Sequence, residues 1–216
     1  MPVALYGRGR LAGRLLLAAG VAAPLLYAAT VIIGAAQHPG YSHLGNAISE
    51  LIARGQGAQL EPWFLLYNLL IILFAAGLDM RVGLSGRWFR ISAAMIGTSG
   101  VLGVAMAWFP QDAVGTPMTP TGIGHLVIAA LMSVTSMAAV LADMLAWRAL
   151  DRRRAVFSAR CLAVIFLSGA VAAVEAAQGW PLVGLFERIT IGTYLLWIIA
   201  TALRFLRRRT AFDLNQ

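Results

Sequence analysis

"LLLAAGVAAPLLYAATVIIGAAQ", Leu15–Gln37, runs without a single charged side chain. A helix that spans a bilayer needs about 20 predominantly apolar residues, and this run is long enough. Near the N-terminus it also resembles the apolar part of a signal peptide. It lacks a convincing small-x-small cleavage site, so it reads as a span of the mature chain.

Five more apolar runs follow: Pro62–Leu78, Ile91–Phe109, Gly122–Trp147, Ala159–Ala177 and Ile189–Phe205. No series of alternating segments of about 10 residues, the mark of a membrane β-barrel, interrupts them. The chain is 60% hydrophobic and 12% charged, whereas soluble domains are about 45–50% apolar and about 25% charged. The expected fold is therefore all-α: a polytopic bundle of six transmembrane helices, with residues 1–216 as a single integral membrane domain. The only cysteine, Cys161, excludes an intrachain disulfide and a cysteine-based metal site.

The cationic residues are all arginine, 17 of them. With the N-terminus inside, the inner segments hold Arg8, Arg10, Arg14, Arg81, Arg87, Arg90, Arg148, Arg152, Arg153, Arg154, Arg160, Arg204, Arg207, Arg208 and Arg209. The outer segments hold Arg54 and Arg188, so the split is 17 − 2 = 15 against 2. Positive charge collects on the cytoplasmic side of membrane proteins. The expectation is a multi-pass protein of the bacterial inner membrane with both termini cytoplasmic. Despite a pI near 11, arginines spread this way mark topology and contact lipid phosphate. They do not form a nucleic-acid surface. Membrane lipids are the expected partners, and the oligomeric state is open.

Each outward-going span meets an X-Pro pair: His38-Pro39, Phe109-Pro110 and Trp180-Pro181. Proline disfavours helix at the residue before it, which makes these pairs natural stops. Between the first two spans lies "HPGYSHLGNAISELIARG", His38–Gly55, dense in polar groups. Residues 46–54 are expected to form a short interfacial helix, with Asn46 as N-cap and Gly55 as the stop. Ile48, Leu51 and Ile52 share its apolar face, and Glu50 points away.

Other polar groups fall at the same end. "FPQDAVGTPMTPTGIGH" brings Asp112 and His125, "GLFERIT" brings Glu187 and Arg188, and Glu175 sits near the end of the fifth span. Ionisable groups within a span are functional candidates by default. The expected catalytic acid/base groups are Glu50, Asp112 and His125. Ser49, His43, Glu187 and Arg188 are the expected substrate-binding groups, with Arg188 suited to a phosphate or carboxylate. His125, Asp112 and His38 are candidate ligands for a divalent metal, without a spacing signature for one. Each also has a structural reading: Asn46, Ser42 and Ser49 as caps, Asp112 and Thr119 as turn caps, Glu187 and Arg188 as ion pairs. The expectation is that Glu50, Asp112, His125 and Arg188 converge on one outward-facing pocket.

"HPGYSHLGNAISEL", "FPQD", "TGIGH" and "GLFERITIGTYLLW" together resemble a widespread bacterial family of six-helix membrane proteins catalogued as a domain of unknown function. That resemblance covers nearly the whole chain and implies six spans, not an activity. More distantly, the layout is similar to lipid-handling membrane families, among them ceramidase-like hydrolases with a serine, an aspartate and three histidines around zinc. The chain departs from that pattern, for no His-x-x-x-His pair occurs in a late helix. Three functions remain open: an enzyme (hydrolase, transferase or cyclase) on a lipid or lipid-linked substrate, a non-catalytic lipid-binding or partner-binding subunit, and a transporter. The last is disfavoured because ionisable groups are missing from the midplane, where transporters place their sites.

Overall fold

In a computed structural model, residues 3–55, 57–82 and 86–207 are described. Arg208 and Arg209, two of the arginines assigned to the inner side, lie outside these. Six helices run α1 (Val3–Gln37), α2 (Glu61–Val82), α3 (Arg87–Ala105), α4 (Pro120–Trp147), α5 (Arg152–Gln178) and α6 (Val183–Arg207). Each is long and apolar enough to cross a membrane. Among the described residues there is no strand. The helices run on beyond the apolar stretches, taking in arginine-bearing turns such as Arg152–Arg154 and Arg204–Arg207.

Consecutive helices pack against each other, and α6 returns to α1, so the up-and-down chain closes into a ring. This order puts the ends of α1, α3 and α5 at one end of the bundle with the starts of α2, α4 and α6. That end is called the loop face here and the opposite end the arginine face. The X-Pro stops hold: α1 ends at Gln37, a 3-10 turn after α3 ends at Trp108, and α5 ends at Gln178.

The helices are apolar nearly all round, as expected for elements with lipid on one side and protein on the other. Leu15, Leu25, Ile32, Val134, Phe166 and Leu196 face outward, while Leu17, Phe74, Ile96, Val140, Trp147 and Trp197 fill the interior. Aromatic rings extend through that interior. Tyr194 stacks on Trp197 at 5.8 Å, and Phe89 meets Trp147 edge-on at 5.1 Å.

The first loop departs from expectation in one respect. Instead of a helix over 46–54 capped by Asn46, there is a 3-10 helix, Ile48–Ile52, with Ala47 at its N-cap. Asn46 has other partners: its Oδ1 accepts from the Ser42 N–H (2.8 Å) and its Nδ2 donates to Glu50 (2.7 Å). The apolar face is as expected, with Ile48 and Leu51 buried against Val31 and Leu60. The helix stops at Ala53, which is extended (φ −61°, ψ 156°), rather than at the expected Gly55, which follows with φ 82°.

Candidate functional site

The loop 41–50 is held onto the start of α6. Glu50 folds back on its own turn, its Oε1 accepting from the Ala47 N–H (2.7 Å) and its Oε2 from Asn46. These bonds satisfy donors that a helix start leaves orphaned. Glu187, from α6, accepts from the Ile48 N–H at 2.6 Å. Arg188 donates to the Asn46 and Gly184 carbonyls, both at 2.9 Å, and to the Tyr41 hydroxyl. Tyr41 in turn donates to the Ala47 carbonyl at 3.0 Å. Its phenol is pushed above its ordinary pKa, first by burial.

Gly184 allows this approach. A Cβ there would lie 2.3 Å from the Asn46 carbonyl oxygen, so any side chain would push the loop off α6. His43 stays exposed, with its ring edge-on to Tyr41 at 5.8 Å. Ser49 is half-buried within the 3-10 turn.

A second group ties the far end of this loop to α4. Asp112 accepts from both the N–H (2.7 Å) and the hydroxyl (2.8 Å) of Thr119. These bonds, the backbone one foremost, hold its carboxyl below the usual aspartate range, and Arg54, 3.7 Å away, adds to the effect. Asp112 sits directly over Gly122, where a Cβ would meet its Oδ2 at 2.0 Å. Arg54 donates to Thr121 through its side chain and to the Gln111 carbonyl (2.8 Å) through its backbone. His125 is buried, with Nδ1 2.9 Å from the Phe109 carbonyl. A ring nitrogen facing an acceptor carries the proton, which leaves Nε2 with the lone pair.

The sequence-predicted residues thus come to one face, at the starts of α6 and α4. Glu50, Glu187 and Arg188 share the backbone of residues 46–48, while Asp112 bonds Thr119 and His125 bonds the Phe109 carbonyl, and the segment 41–54 reaches both places as a clasp. Each of the three carboxylates turns toward a nearby backbone N–H. The metal candidates part company. His38 bonds back to the Gly34 carbonyl (2.7 Å) at the end of α1. Among the described residues no three His, Cys, Asp or Glu side chains gather as metal ligands would.

The arginine face holds a constellation that sequence reasoning missed. Asp143 is 2% exposed and accepts from Ser158 (2.6 Å), Trp147 Nε1 (2.9 Å) and Trp197 Nε1 (3.3 Å). Arg154 reaches it at 3.4 Å and also donates to Thr201. Below them Arg204 pairs with Asp151 at 2.6 Å, which also caps α5 through the Arg154 N–H. That backbone bond is the main reason the Asp151 carboxyl sits below its ordinary pKa. Two overlapping, wide-open surface depressions of about 530 and 440 Å³ form a shallow cleft here between α5 and α6. Asp143 is thereby the ion-pair partner of Arg154. Its position inside a long apolar run was the signal that it would be buried and networked.

Fold and polar clusters together define an all-α membrane protein, a closed six-helix bundle with polar groups gathered at both ends. The chain belongs to the family described as a protein of unknown function, DUF998, whose model matches residues 21–204 and so takes in both clusters. Neither a curated protein nor a solved structure matches it.

Proposed function

We propose that this is a non-catalytic multi-pass membrane protein that binds membrane lipid, its loop face closed by the 41–54 clasp. The observation that carries the non-catalytic part is the use made of the expected catalytic groups. Both oxygens of Glu50 and both of Asp112 accept hydrogen bonds from within the chain. Glu187 and Arg188 likewise hold backbone groups of the loop. A general acid or base needs an atom within hydrogen-bond reach of substrate, and these atoms have close partners already. The 15-to-2 arginine split supports placing the clasp outside and both termini in the cytoplasm of a bacterial inner membrane.

A second reading, an enzyme acting on a lipid or lipid-linked substrate, is favoured by His125 alone, since the Phe109 carbonyl leaves its Nε2 able to take a proton. Transport has less support. The six helices run unbroken through their apolar stretches, whereas transporter sites favour discontinuous helices near the midplane.

Glu50→Gln and His125→Asn test these readings together. The lipid-binding reading expects a lower melting temperature in detergent for Glu50→Gln and an unchanged membrane lipid composition for both variants in the expressing cells. Unchanged melting combined with an altered lipid composition would overturn it in favour of the enzyme.

A further inference from the structure

We infer that the cleft between α5 and α6 at the arginine face is a binding site for a phosphate-bearing anion, with a membrane lipid headgroup as the natural source. The inference rests on the lipid-binding reading and names where, and by what chemistry, the lipid is held.

The larger depression is lined by Arg154, Ala200, Leu203, Arg204 and Arg207, and the overlapping one adds Asp151, Arg153 and Phe157. Arginine is the side chain best matched to phosphate, with a planar fork of donors and a weakly hydrated charge. Four arginines face two carboxylates here, Asp143 and Asp151, so the local balance is 4 − 2 = +2.

Arg154 is only 7% exposed, and among the described residues its Nε is buried without a hydrogen-bond partner, as are those of Arg204 and of Arg188 at the loop face. The Arg154 and Arg204 side chains both line this cleft, where an anion would meet the guanidinium edges left open to it. The buried network explains how Arg154 is held ready. Asp143 and Thr201 grip one end of its guanidinium, and Phe157 lies 5.0 Å beneath it.

The remaining walls fit an amphiphile. Ala200, Leu203 and Phe157 are apolar, and Leu203 is open to the lipid side of the bundle. Arg154 lies near the start of α5 and Arg204 near the end of α6, so the cleft is at the depth where a helix end meets lipid phosphate. Topology alone would scatter arginines around this face. It would not bury one of them on a carboxylate at the wall of a cleft.

The test uses the full chain purified in a neutral detergent. Thermal unfolding is followed with added dihexanoyl phosphatidic acid, dihexanoyl phosphatidylcholine or inorganic phosphate. Co-purifying lipids are identified by mass spectrometry. The phosphatidic acid should raise the melting temperature by about 2–4 °C, the shift about 1 kcal/mol produces in a chain of this size, and phosphatidylcholine by less. Ala200→Phe, which fills the cleft and keeps every charge, should abolish that shift. Arg207→Gln should at least halve it. Arg148→Gln, at an exposed arginine of the same face that does not line the cleft, should leave it intact.

An equal shift from inorganic phosphate would keep the anion site and make free phosphate its source. Equal losses in the Arg148 and Arg207 variants, or a full shift in Ala200→Phe, would overturn the site. Retained lipid without any response to phosphate would sink this inference and leave the lipid-binding reading standing. Absence of co-purifying lipid would sink that reading instead.

Discussion

At the loop face, Glu50, Glu187 and Asp112 take hydrogen bonds from the backbone N–H groups of Ala47, Ile48 and Thr119. At the arginine face, Asp143 takes them from the side chains of Ser158, Trp147 and Trp197. The difference follows from what each region leaves unpaired. Loops and helix starts expose backbone donors that must be satisfied, and carboxylates near them are drawn to those donors. Inside the helical part of the bundle the backbone is already paired, so a buried carboxylate has only side chains to turn to. Charged residues therefore knit chain segments at one end and lock helices together at the other.

If that contrast is right, the largest loss comes from the arginine face. Asp143→Ala leaves Arg154 buried beside no counter-charge and should cost about 3–5 kcal/mol, read as a fall in melting temperature in detergent. Replacing both, Asp143→Leu with Arg154→Leu, should recover much of it, because an apolar pair in a buried site is often as stable as an ion pair. A single variant no less stable than an exposed-surface change would break the comparison.

Gly184→Ala comes next. The new methyl group would meet the Asn46 carbonyl oxygen, and such overpacking costs about 1–3 kcal/mol. Its mark should be local: faster amide exchange across 41–52, with the arginine face unchanged. Equal loosening at both faces would show that the clasp and the buried network are one unit.

Glu187→Ala removes the acceptor of the Ile48 N–H and should cost about 1–2 kcal/mol. Its effect should sum with that of Asp143→Ala, since sites far apart without shared partners add. Non-additivity in the double variant would reveal coupling through α6.

The smallest effect is a pH dependence. Thr119 and then Arg54 hold the Asp112 carboxyl below its ordinary value. Its contribution to stability is present above the ordinary aspartate range and is lost as pH falls through the lowered one. Thr119→Ala should reduce this acid sensitivity, and Asp112→Asn should abolish it, both followed by proteolysis within 110–121 at falling pH. An unchanged profile in Asp112→Asn would assign the acid response to another carboxylate.

Much of the loop face can be read from the chain. The X-Pro stops, the apolar triplet Ile48, Leu51 and Ile52, and the presence of Glu50, Asp112, His125 and Arg188 at one end all follow from span counting. What misleads is local capping. Asn46 reads as an N-cap, yet it serves Ser42 and Glu50, so the turn begins one residue later and is 3-10. Arg54 reads as a stray outer arginine and is the tie between the first loop and the start of α4.

Six spans, their boundaries and the arginine imbalance follow from run length and charge measured along the chain, because a bilayer tests each segment separately and along one axis. Which polar groups meet is a matter of rotation about that axis, and no segment sets its own rotation. The return of α6 to α1 and the approach of α4 to α5 set it. They set Glu50 against the start of α6 beside Arg188 and Asp112 over the start of α4, and they brought Asp143, Ser158, Trp197 and Arg154 into one buried contact.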